Sequence, residues 1–321
     1  MAVYTDVPDE ELRAFIAEYA IGEVVSCKGI AEGVENSNYL LRTEKGTYIL
    51  TLYEKRVAPA DLPFFLALIE HLAKQGIPCP TPIHGRDGGA LRKLCGRPAA
   101  IVSFLDGMWP RRIYPYHCAG VGAALARLHH AGAGFPQSRA NDLSLSGWEG
   151  LYGACAARAD EVKAGMAEEL RVELAELRRL WPRDLPRGII HADLFPDNVF
   201  FRGETVSGLI DFYFACTDFF AYDLAICLNA WCFESDGSFN VTKARVMLAK
   251  YRAIRPLAKP EIDALPLLAR GSAIRFLLTR LYDWLYRAPG AFVRPKDPLE
   301  YLQRLRFHRG VASAAAYGFD P

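Results

Sequence analysis

Apolar and polar residues alternate over short runs in the first hundred positions of the chain. Residues 23–31, 38–44 and 46–53 are rich in β-branched and aromatic side chains and predict three strands, the last two joined by the turn signal EKG. Residues 97–105 predict a fourth strand, which ends at the break DGMWP. This pattern indicates an α+β unit built on a small antiparallel sheet.

Helical spacing of apolar residues occurs twice in the same part of the chain. The segment PDEELRAFIAEYAIG has a start signal at Asp6 or at Pro8–Asp9 and a stop signal at Gly22. Residues 59–75 carry a second apolar stripe, which ends at Gly76. The prolines of IPCPTPI predict an extended connection from this helix to the rest of the sheet.

Beyond residue 105 the spacing of apolar residues is mainly helical. It predicts helices over residues 118–132, 151–181, 219–232, 240–254, 259–287 and 297–308. Two short strands, NVFF and GLID, interrupt the helices. We therefore predict an N-terminal nucleotide-binding lobe over residues 1–105 and a larger, mainly helical catalytic lobe over residues 106–321.

Composition narrows the class of protein. Hydrophobic residues make up 51% of the chain and charged residues 23%, which is typical of a folded globular protein. The net charge of +1 provides no basic field for nucleic acid or an anionic membrane. The N-terminus lacks the apolar segment of a signal peptide, and no apolar run is long enough to span a bilayer. Eight scattered cysteines without a CxxC pair favour a reduced, cytoplasmic protein, and the sequence leaves the oligomeric state open.

A dense group of polar residues, HADLFPDN, stands directly before the strand NVFF. Asp193 and Asn198 are five residues apart, and a hairpin returns the chain to a second strand that ends in Asp211. Oxygen ligands without cysteine or paired histidines suit a hard cation such as Mg²⁺. We expect Asn198 and Asp211 to hold Mg²⁺, Asp193 to orient an attacking hydroxyl, and His191 to brace the loop.

The order of these residues resembles the catalytic loop and metal-binding aspartate of protein kinases. The variants HADLFPDN and IDFYFA resemble those of the aminoglycoside phosphotransferase and choline kinase superfamily. The resemblance covers nearly the whole chain and implies a two-lobed protein-kinase-like fold that uses ATP. The alternative is a structural hairpin with solvated polar turns, which the complete set at this spacing disfavours.

Three segments bring the resemblance closer to bacterial homoserine kinases of this fold. They are GVENSNYLLRTEKGTYILTLYEKR, HADLFPDNVFF and IDFYFACTDFFAYDLAICLNAWCFE. The resemblance implies transfer of the γ-phosphoryl group of ATP to the hydroxyl of L-homoserine, which gives O-phospho-L-homoserine in threonine biosynthesis. The chemistry of the residues leaves open a kinase of the same fold for choline, ethanolamine, hydroxylysine or an aminoglycoside, and a catalytically silent binding protein.

The nucleotide is expected at the first lobe. The segment GIAEGVENSNY lies where this fold places its phosphate-covering loop, and Gly29 and Gly33 permit close backbone approach while Ser37 offers a donor. As a bare motif it equally fits an ordinary polar hairpin loop. The adenine is expected against the hinge, where Ser103 and Leu105 present backbone groups.

One feature departs from the related kinases. Their third strand carries a lysine or arginine that pairs with a glutamate on the following helix, whereas this chain has Thr51 there and no acid in the middle of that helix. Lys55, just past the strand, is the expected contact with the phosphates. The absence of this ion pair is the only feature of the sequence that favours a catalytically silent binding protein.

The substrate side needs groups for an ammonium and a carboxylate. Arg275 and Arg280 lie in an otherwise apolar helical pattern, and we expect one of them to bind the substrate carboxylate. A structural ion pair is the alternative for each. Asn36 and Tyr213 are further candidates for the substrate pocket.

Two other polar residues are expected to have structural roles. Asp223, within AYDLA, is predicted to fix the N-terminus of its helix near the catalytic loop. His129, within LARLHH, is predicted to lie in the core or at a helix end.

Overall fold

The computed structural model of the protein describes residues 5–30, 36–54, 58–286 and 295–319. Its chain forms two compact units, each assembled from two separate stretches. The first unit consists of Met1–Gly107 and Ser207–Tyr213. The second unit consists of Met108–Val206 and Phe214–Pro321. The first unit thus includes a short stretch from beyond the predicted catalytic loop.

The first unit is built on a five-stranded antiparallel sheet. Its strands are β1 (Val24–Gly29), β2 (Ser37–Thr43), β3 (Gly46–Leu52), β4 (Leu91–Leu94) and β5 (Arg97–Ser103). They are arranged in the order β1-β2-β3-β5-β4, with every neighbouring pair antiparallel. The four predicted strands are confirmed. The sequence does not predict β4, because LRKL is short and half of it is charged.

Two helices accompany the sheet, α1 (Asp9–Ala17) and α2 (Leu62–Lys74). Alternate residues of β2 are buried, which gives the sheet an apolar face. Phe15 and Ile16 of α1 join Leu41 of β2 in one buried cluster. Both helices occur where apolar periodicity predicts them.

The second unit is mainly helical. Its helices are α3 (Pro115–Ala131), α4 (Leu145–Cys155), α5 (Ala159–Val162), α6 (Met166–Leu180), α7 (Phe220–Trp231), α8 (Val241–Arg252), α9 (Lys259–Leu285) and α10 (Pro298–Arg309). The prediction of one helix over residues 151–181 is wrong, because the chain breaks into separate helices and Gly165 adopts a left-handed conformation before α6. Among the helices described in either unit, none has the length and apolar character needed to cross a membrane.

Four short strands surround the predicted catalytic loop. β6 (Arg187–Ile190) pairs antiparallel with β9 (Cys216–Phe219), and β7 (Val199–Arg202) pairs with β8 (Thr205–Leu209). The predicted hairpin is confirmed, although β8 ends two residues before Asp211. The sequence does not predict β6 and β9, which have only four residues each. Because β6 ends at Ile190 and β7 begins at Val199, the loop between them is held at both ends.

A neutral histidine lies in the core between α7 and α10. His308 is fully buried, and its Nδ1 lies 2.7 Å from the Tyr317 hydroxyl while its Nε2 lies 3.2 Å from Asn229 Oδ1. The Asn229 amide donates to the Ala269 carbonyl, so its oxygen is the acceptor and His308 Nε2 carries the proton. Burial, with a contribution from the Arg304 guanidinium, lowers the pKa of His308 to about 3.

This histidine predicts acid sensitivity of the fold. Between about pH 6.5 and pH 3 an unfolded histidine binds a proton that folded His308 does not, so the free energy of unfolding falls as the pH is lowered through this window. Within this window His308 lowers the free energy of unfolding by at most about 1.4 kcal/mol per pH unit. Urea unfolding gives the free energy of unfolding at each pH between 7 and 5. This free energy should fall less steeply with decreasing pH in His308→Gln than in the wild type. An equal pH dependence in the two proteins would contradict the assignment of His308 as neutral in the folded state.

Candidate active site

The loop between β6 and β7 brings Asp193 and Asn198 together. The Phe195 amide donates to the Asp193 carbonyl at 2.8 Å, and the Asn198 amide donates to the Phe195 carbonyl at 3.0 Å, so the loop turns twice within six residues. Asn198 Nδ2 donates to the Asp193 carbonyl at 2.8 Å and reaches its carboxylate Oδ2 at 3.3 Å. Since the amide nitrogen is engaged, the amide oxygen of Asn198 is the atom that a cation would contact.

His191 is fully buried at the start of this loop. Its Nδ1 accepts a hydrogen bond from the Asp193 amide at 3.2 Å. Its own backbone amide donates to Asp223 Oδ2 at 2.8 Å. His191 therefore contacts both the backbone of Asp193 and the helix behind the loop.

Ala192 has an unusual backbone conformation, with φ at 63°. The left-handed region costs an L-residue other than glycine roughly 1–2 kcal/mol. The amide of Ala192 donates to Asp223 Oδ1 at 2.9 Å, and its carbonyl accepts a hydrogen bond from Arg275 Nη1. Hydrogen bonds on both sides of the residue therefore offset the strain and fix the peptide immediately before Asp193.

Asp223 is fully buried in α7, and its carboxylate accepts three hydrogen bonds. Two come from the amides of His191 and Ala192, and the third comes from His129 Nε2 at 3.1 Å. Burial alone would raise the pKa of the Asp223 carboxyl, but the hydrogen bonds from His129 and from the His191 backbone amide hold that pKa below its usual range. Asp223 lies in the first turn of α7, as predicted, and its carboxylate also holds the loop.

The sequence contains a signal for this role. Asp223 lies within FAYDLAICLNAW, where every residue of α7 except Phe220 is buried. A carboxylate buried on a helix without an exposed face requires partners from elsewhere in the fold. His129 is buried, as predicted, and supplies one of them.

Arg275 lies behind the loop with 1% of its surface exposed. Besides the Ala192 carbonyl, its guanidinium contacts the rings of Phe214 and Phe276, at 5.5 Å and 4.6 Å from their centroids. This placement gives Arg275 a role in supporting the loop, which differs from the predicted contact with a substrate carboxylate.

Arg280 lies one and a half turns further along α9 and is paired with α10. Its Nη1 donates to Glu300 Oε2 at 2.6 Å, and its guanidinium lies 4.4 Å from the ring centroid of Tyr301. Burial is the main cause that raises the pKa of Tyr301 to about 12, and the carboxylate of Asp193 also contributes. Arg280 therefore has a structural ion pair with Glu300, which is the kind of pairing that the sequence left open as an alternative.

The first unit holds the other predicted metal ligand. Asp211, two residues past β8, also has a left-handed backbone, with φ at 64°. The hydroxyl of Tyr213 lies 3.4 Å from that of Tyr53, and burial raises the pKa of Tyr213 well above its usual value, with the charge of Asp211 adding to the shift. Among the described residues other than glycine, three have positive φ, and Ala192 and Asp211 are two of them.

On β3, the position where related kinases carry a lysine or arginine is occupied by a residue that forms a neutral hydrogen bond. Thr51 Oγ1 donates to Asn38 Oδ1 at 2.8 Å across β2 and β3. No positive charge lies at that position on β3. The predicted substitute, Lys55, lies outside the described residues, as does Gly33.

The other predicted nucleotide and pocket residues of the first unit have structural contacts. Asn36 Oδ1 accepts from the Glu54 amide at 3.3 Å, and the Ser37 hydroxyl donates to Glu54 Oε1 at 2.8 Å. Ser103 Oγ accepts from the Thr81 amide at 2.9 Å, which fixes the end of β5. Gly29 ends β1 and Leu105 follows β5 half-buried; their contacts with a nucleotide remain predictions.

Comparison with known proteins identifies the family of the chain. The model of a phosphotransferase enzyme family matches residues 26–257. The chain belongs to this phosphotransferase family. The homoserine kinase of Parvibaculum lavamentivorans is 66% identical over 320 residues, and that of Paramagnetospirillum magneticum is 64% identical over 326 residues. In both alignments 100% of each chain is covered, which confirms the resemblance identified in the sequence.

Solved structures of distant relatives confirm the two-lobed kinase-like fold. An amicoumacin kinase in complex with AMP-PNP, Ca²⁺ and Ami has a TM-score of 0.68 at 16% identity, covering 94% of this chain and 92% of that one. A spectinomycin phosphotransferase in complex with ADP and its antibiotic has a TM-score of 0.68 at 15% identity, covering 98% of each chain.

The contacts of Asp223 predict a large loss of stability in Asp223→Asn. The variant keeps one acceptor oxygen but leaves a loop amide or His129 without its charged partner, and we expect the free energy of unfolding to fall by about 2–4 kcal/mol. Urea unfolding measures this change. As a control, Asp263→Asn removes an exposed partner of Lys259 on α9 and should cost less than about 0.5 kcal/mol. Equal costs for the two variants would contradict the assignment.

Proposed function

We propose that the protein is a homoserine kinase, which transfers the γ-phosphoryl group of ATP to the hydroxyl of L-homoserine and releases O-phospho-L-homoserine, in threonine biosynthesis. The observation that carries the proposal is identity of 61–66% over nearly the full length to several homoserine kinases. The loop geometry of Asp193 and Asn198 supports a phosphotransferase in particular. All eight cysteines are free thiols, which supports a cytoplasmic location.

Asp193 is the proposed group for the substrate hydroxyl. Its backbone amide is fixed by His191, and its carboxylate is approached by the Asn198 amide. Phosphoryl transfer depends mainly on positioning and charge neutralisation. In the proposed step the hydroxyl oxygen forms a bond to the γ-phosphorus, the bond from phosphorus to the ADP oxygen breaks, and the hydroxyl proton passes to the Asp193 carboxylate.

Asn198 and Asp211 are the proposed ligands of Mg²⁺. Both supply oxygen atoms, which suit a hard cation, and the orientation of the Asn198 amide directs its nitrogen to Asp193 and leaves its oxygen for the metal. When bound, Mg²⁺ would neutralise charge on the phosphates. The strained backbone of Asp211 is consistent with a position selected for function rather than for stability.

The phosphate contact of Lys55 and the nucleotide contacts of Gly29, Gly33, Ser37, Ser103 and Leu105 remain proposals. Support for Lys55 comes from β3, where Thr51 and Asn38 form a neutral hydrogen bond in place of an ion pair. On the substrate side, Arg280 is the remaining arginine for the homoserine carboxylate, because Arg275 is buried against the loop backbone. Asn36 and Tyr213 stay candidates for the same pocket.

The acceptor specificity is tested with a panel of alcohols. Purified protein is incubated with Mg·ATP and L-homoserine, choline, ethanolamine, hydroxylysine or an aminoglycoside, and the release of ADP is followed. We expect L-homoserine to exceed every other acceptor in kcat/KM, and phosphorus NMR should identify O-phosphohomoserine. A rate with homoserine no higher than the rate without an acceptor would overturn the proposal.

The role of Asp193 is tested by Asp193→Asn. Loss of a positioned general base typically lowers turnover by about 10²–10⁴-fold, and we expect kcat to fall within this range while the KM for ATP changes little. The matched control is Asp197→Asn in the same loop, since Asp197 is exposed and makes a long ion pair of 3.7 Å with Lys296. If both variants kept most of their activity, Asp193 would not be the catalytic carboxylate.

A further inference from the structure

A chain of buried polar side chains extends from Asp223 to the junction of α8 and α9. Beyond Asp223, the Nδ1 of His129 lies 2.7 Å from the hydroxyl of Tyr251 on α8. The Tyr251 hydroxyl accepts from Arg255 Nη1 at 3.3 Å, and the same nitrogen lies 2.9 Å from Glu261 Oε1 on α9. The junction is thereby linked to the helix that holds the catalytic loop.

The donors in this chain all point in one direction. Asp223 accepts, so His129 Nε2 must carry the proton that it donates. Burial lowers the pKa of His129, so its ring is neutral and Nδ1 must be an acceptor. The Tyr251 hydroxyl therefore donates to Nδ1, and its oxygen is left to accept from Arg255. Hydrogen bonds aligned in this way reinforce one another in a buried setting.

The far end of the chain is firmly anchored. Glu261 is 1% exposed, and its Oε2 accepts from the Ala258 amide at 2.9 Å, at the first turn of α9. The Arg255 guanidinium lies 4.4 Å from the ring centroid of Phe220, the first residue of α7. Movement at the junction of α8 and α9 is thus opposed by packing as well as by charge.

We propose that Tyr251 is a positioning residue for the catalytic loop, acting with Arg255 and Glu261. Its hydroxyl fixes the ring of His129, which in turn fixes the Asp223 carboxylate that holds the strained peptide before Asp193. Tyr251 touches neither nucleotide nor substrate in this scheme. Its kinetic consequence rests on the proposed function, whereas its effect on the loop amides does not.

The molecule contains a matched control. Tyr317 is fully buried, and its hydroxyl lies 2.7 Å from Nδ1 of His308, the same separation as between Tyr251 and His129. That second pair leads to Asn229, whose amide bonds to the carbonyls of Ala225 and Ala269 within the helical core. Tyr317→Phe therefore removes an equivalent buried hydroxyl whose described hydrogen bonds lead into the helical core and do not reach the loop amides.

The experiment compares Tyr251→Phe with Tyr317→Phe in the full chain. Each variant loses one buried hydrogen bond of 2.7 Å to a histidine, and Tyr251→Phe also loses the longer 3.3 Å bond from Arg255, so we expect comparable decreases in thermal midpoint. Only Tyr251→Phe should speed hydrogen exchange at the amides of His191 and Ala192, the two that Asp223 binds. Only Tyr251→Phe should lower kcat, by about tenfold, with the KM of either substrate changed less than twofold; this fold-change corresponds to about 1.4 kcal/mol.

A second variant guards against a folding defect in Tyr251→Phe. Glu261→Gln keeps an acceptor for the Ala258 amide but removes the charge that holds Arg255. It should change exchange and kcat in the same direction by a smaller factor. Equal exchange and equal kcat in the tyrosine variants would overturn the proposal. Faster loop exchange confined to Tyr251→Phe, in a protein that fails to phosphorylate homoserine, would overturn the proposed function and retain the positioning role.

Discussion

The candidate active site depends on one buried carboxylate, that of Asp223. Asp223 accepts from two consecutive loop amides and from His129, and this arrangement makes the left-handed conformation of Ala192 possible. A charged group without solvent is stable only with such partners, so the loop and the carboxylate require each other. Arg275 completes the arrangement from the opposite side by donating to the Ala192 carbonyl.

Phosphoryl transfer demands little covalent chemistry from a protein and much accuracy of placement. The structure meets this demand by fixing the backbone before Asp193 and by orienting the Asn198 amide with the same loop. The groups that achieve this are distributed over α3, α7 and α9, far from the loop in sequence. The placement of the proposed catalytic residues Asp193 and Asn198 is therefore a property of the core of the second unit.

The sequence predicts four of the five strands of the first sheet, most helices and the loop residues Asp193 and Asn198, because each depends on local spacing. It does not predict β4, β6 and β9, which are too short to have a period. The sequence also does not predict the partners of Asp223. His129 is 94 residues away and the loop amides are 31–32 residues away, and they meet only when the helices pack. Arg275 illustrates the same limit: an arginine in an apolar helix shows that a partner exists without showing which one.

The discontinuous composition of the first unit affects how it folds during synthesis. Ser207–Tyr213 belongs to it, with the Leu209 amide bonded to the Pro78 carbonyl and the Ser207 hydroxyl bonded to the Asp106 carbonyl. A ribosome adding about 5–20 residues per second needs roughly 5–20 s to pass from Gly107 to this stretch. During synthesis the first unit therefore stays incomplete until the loop that carries Asp193 and Asn198 has been translated.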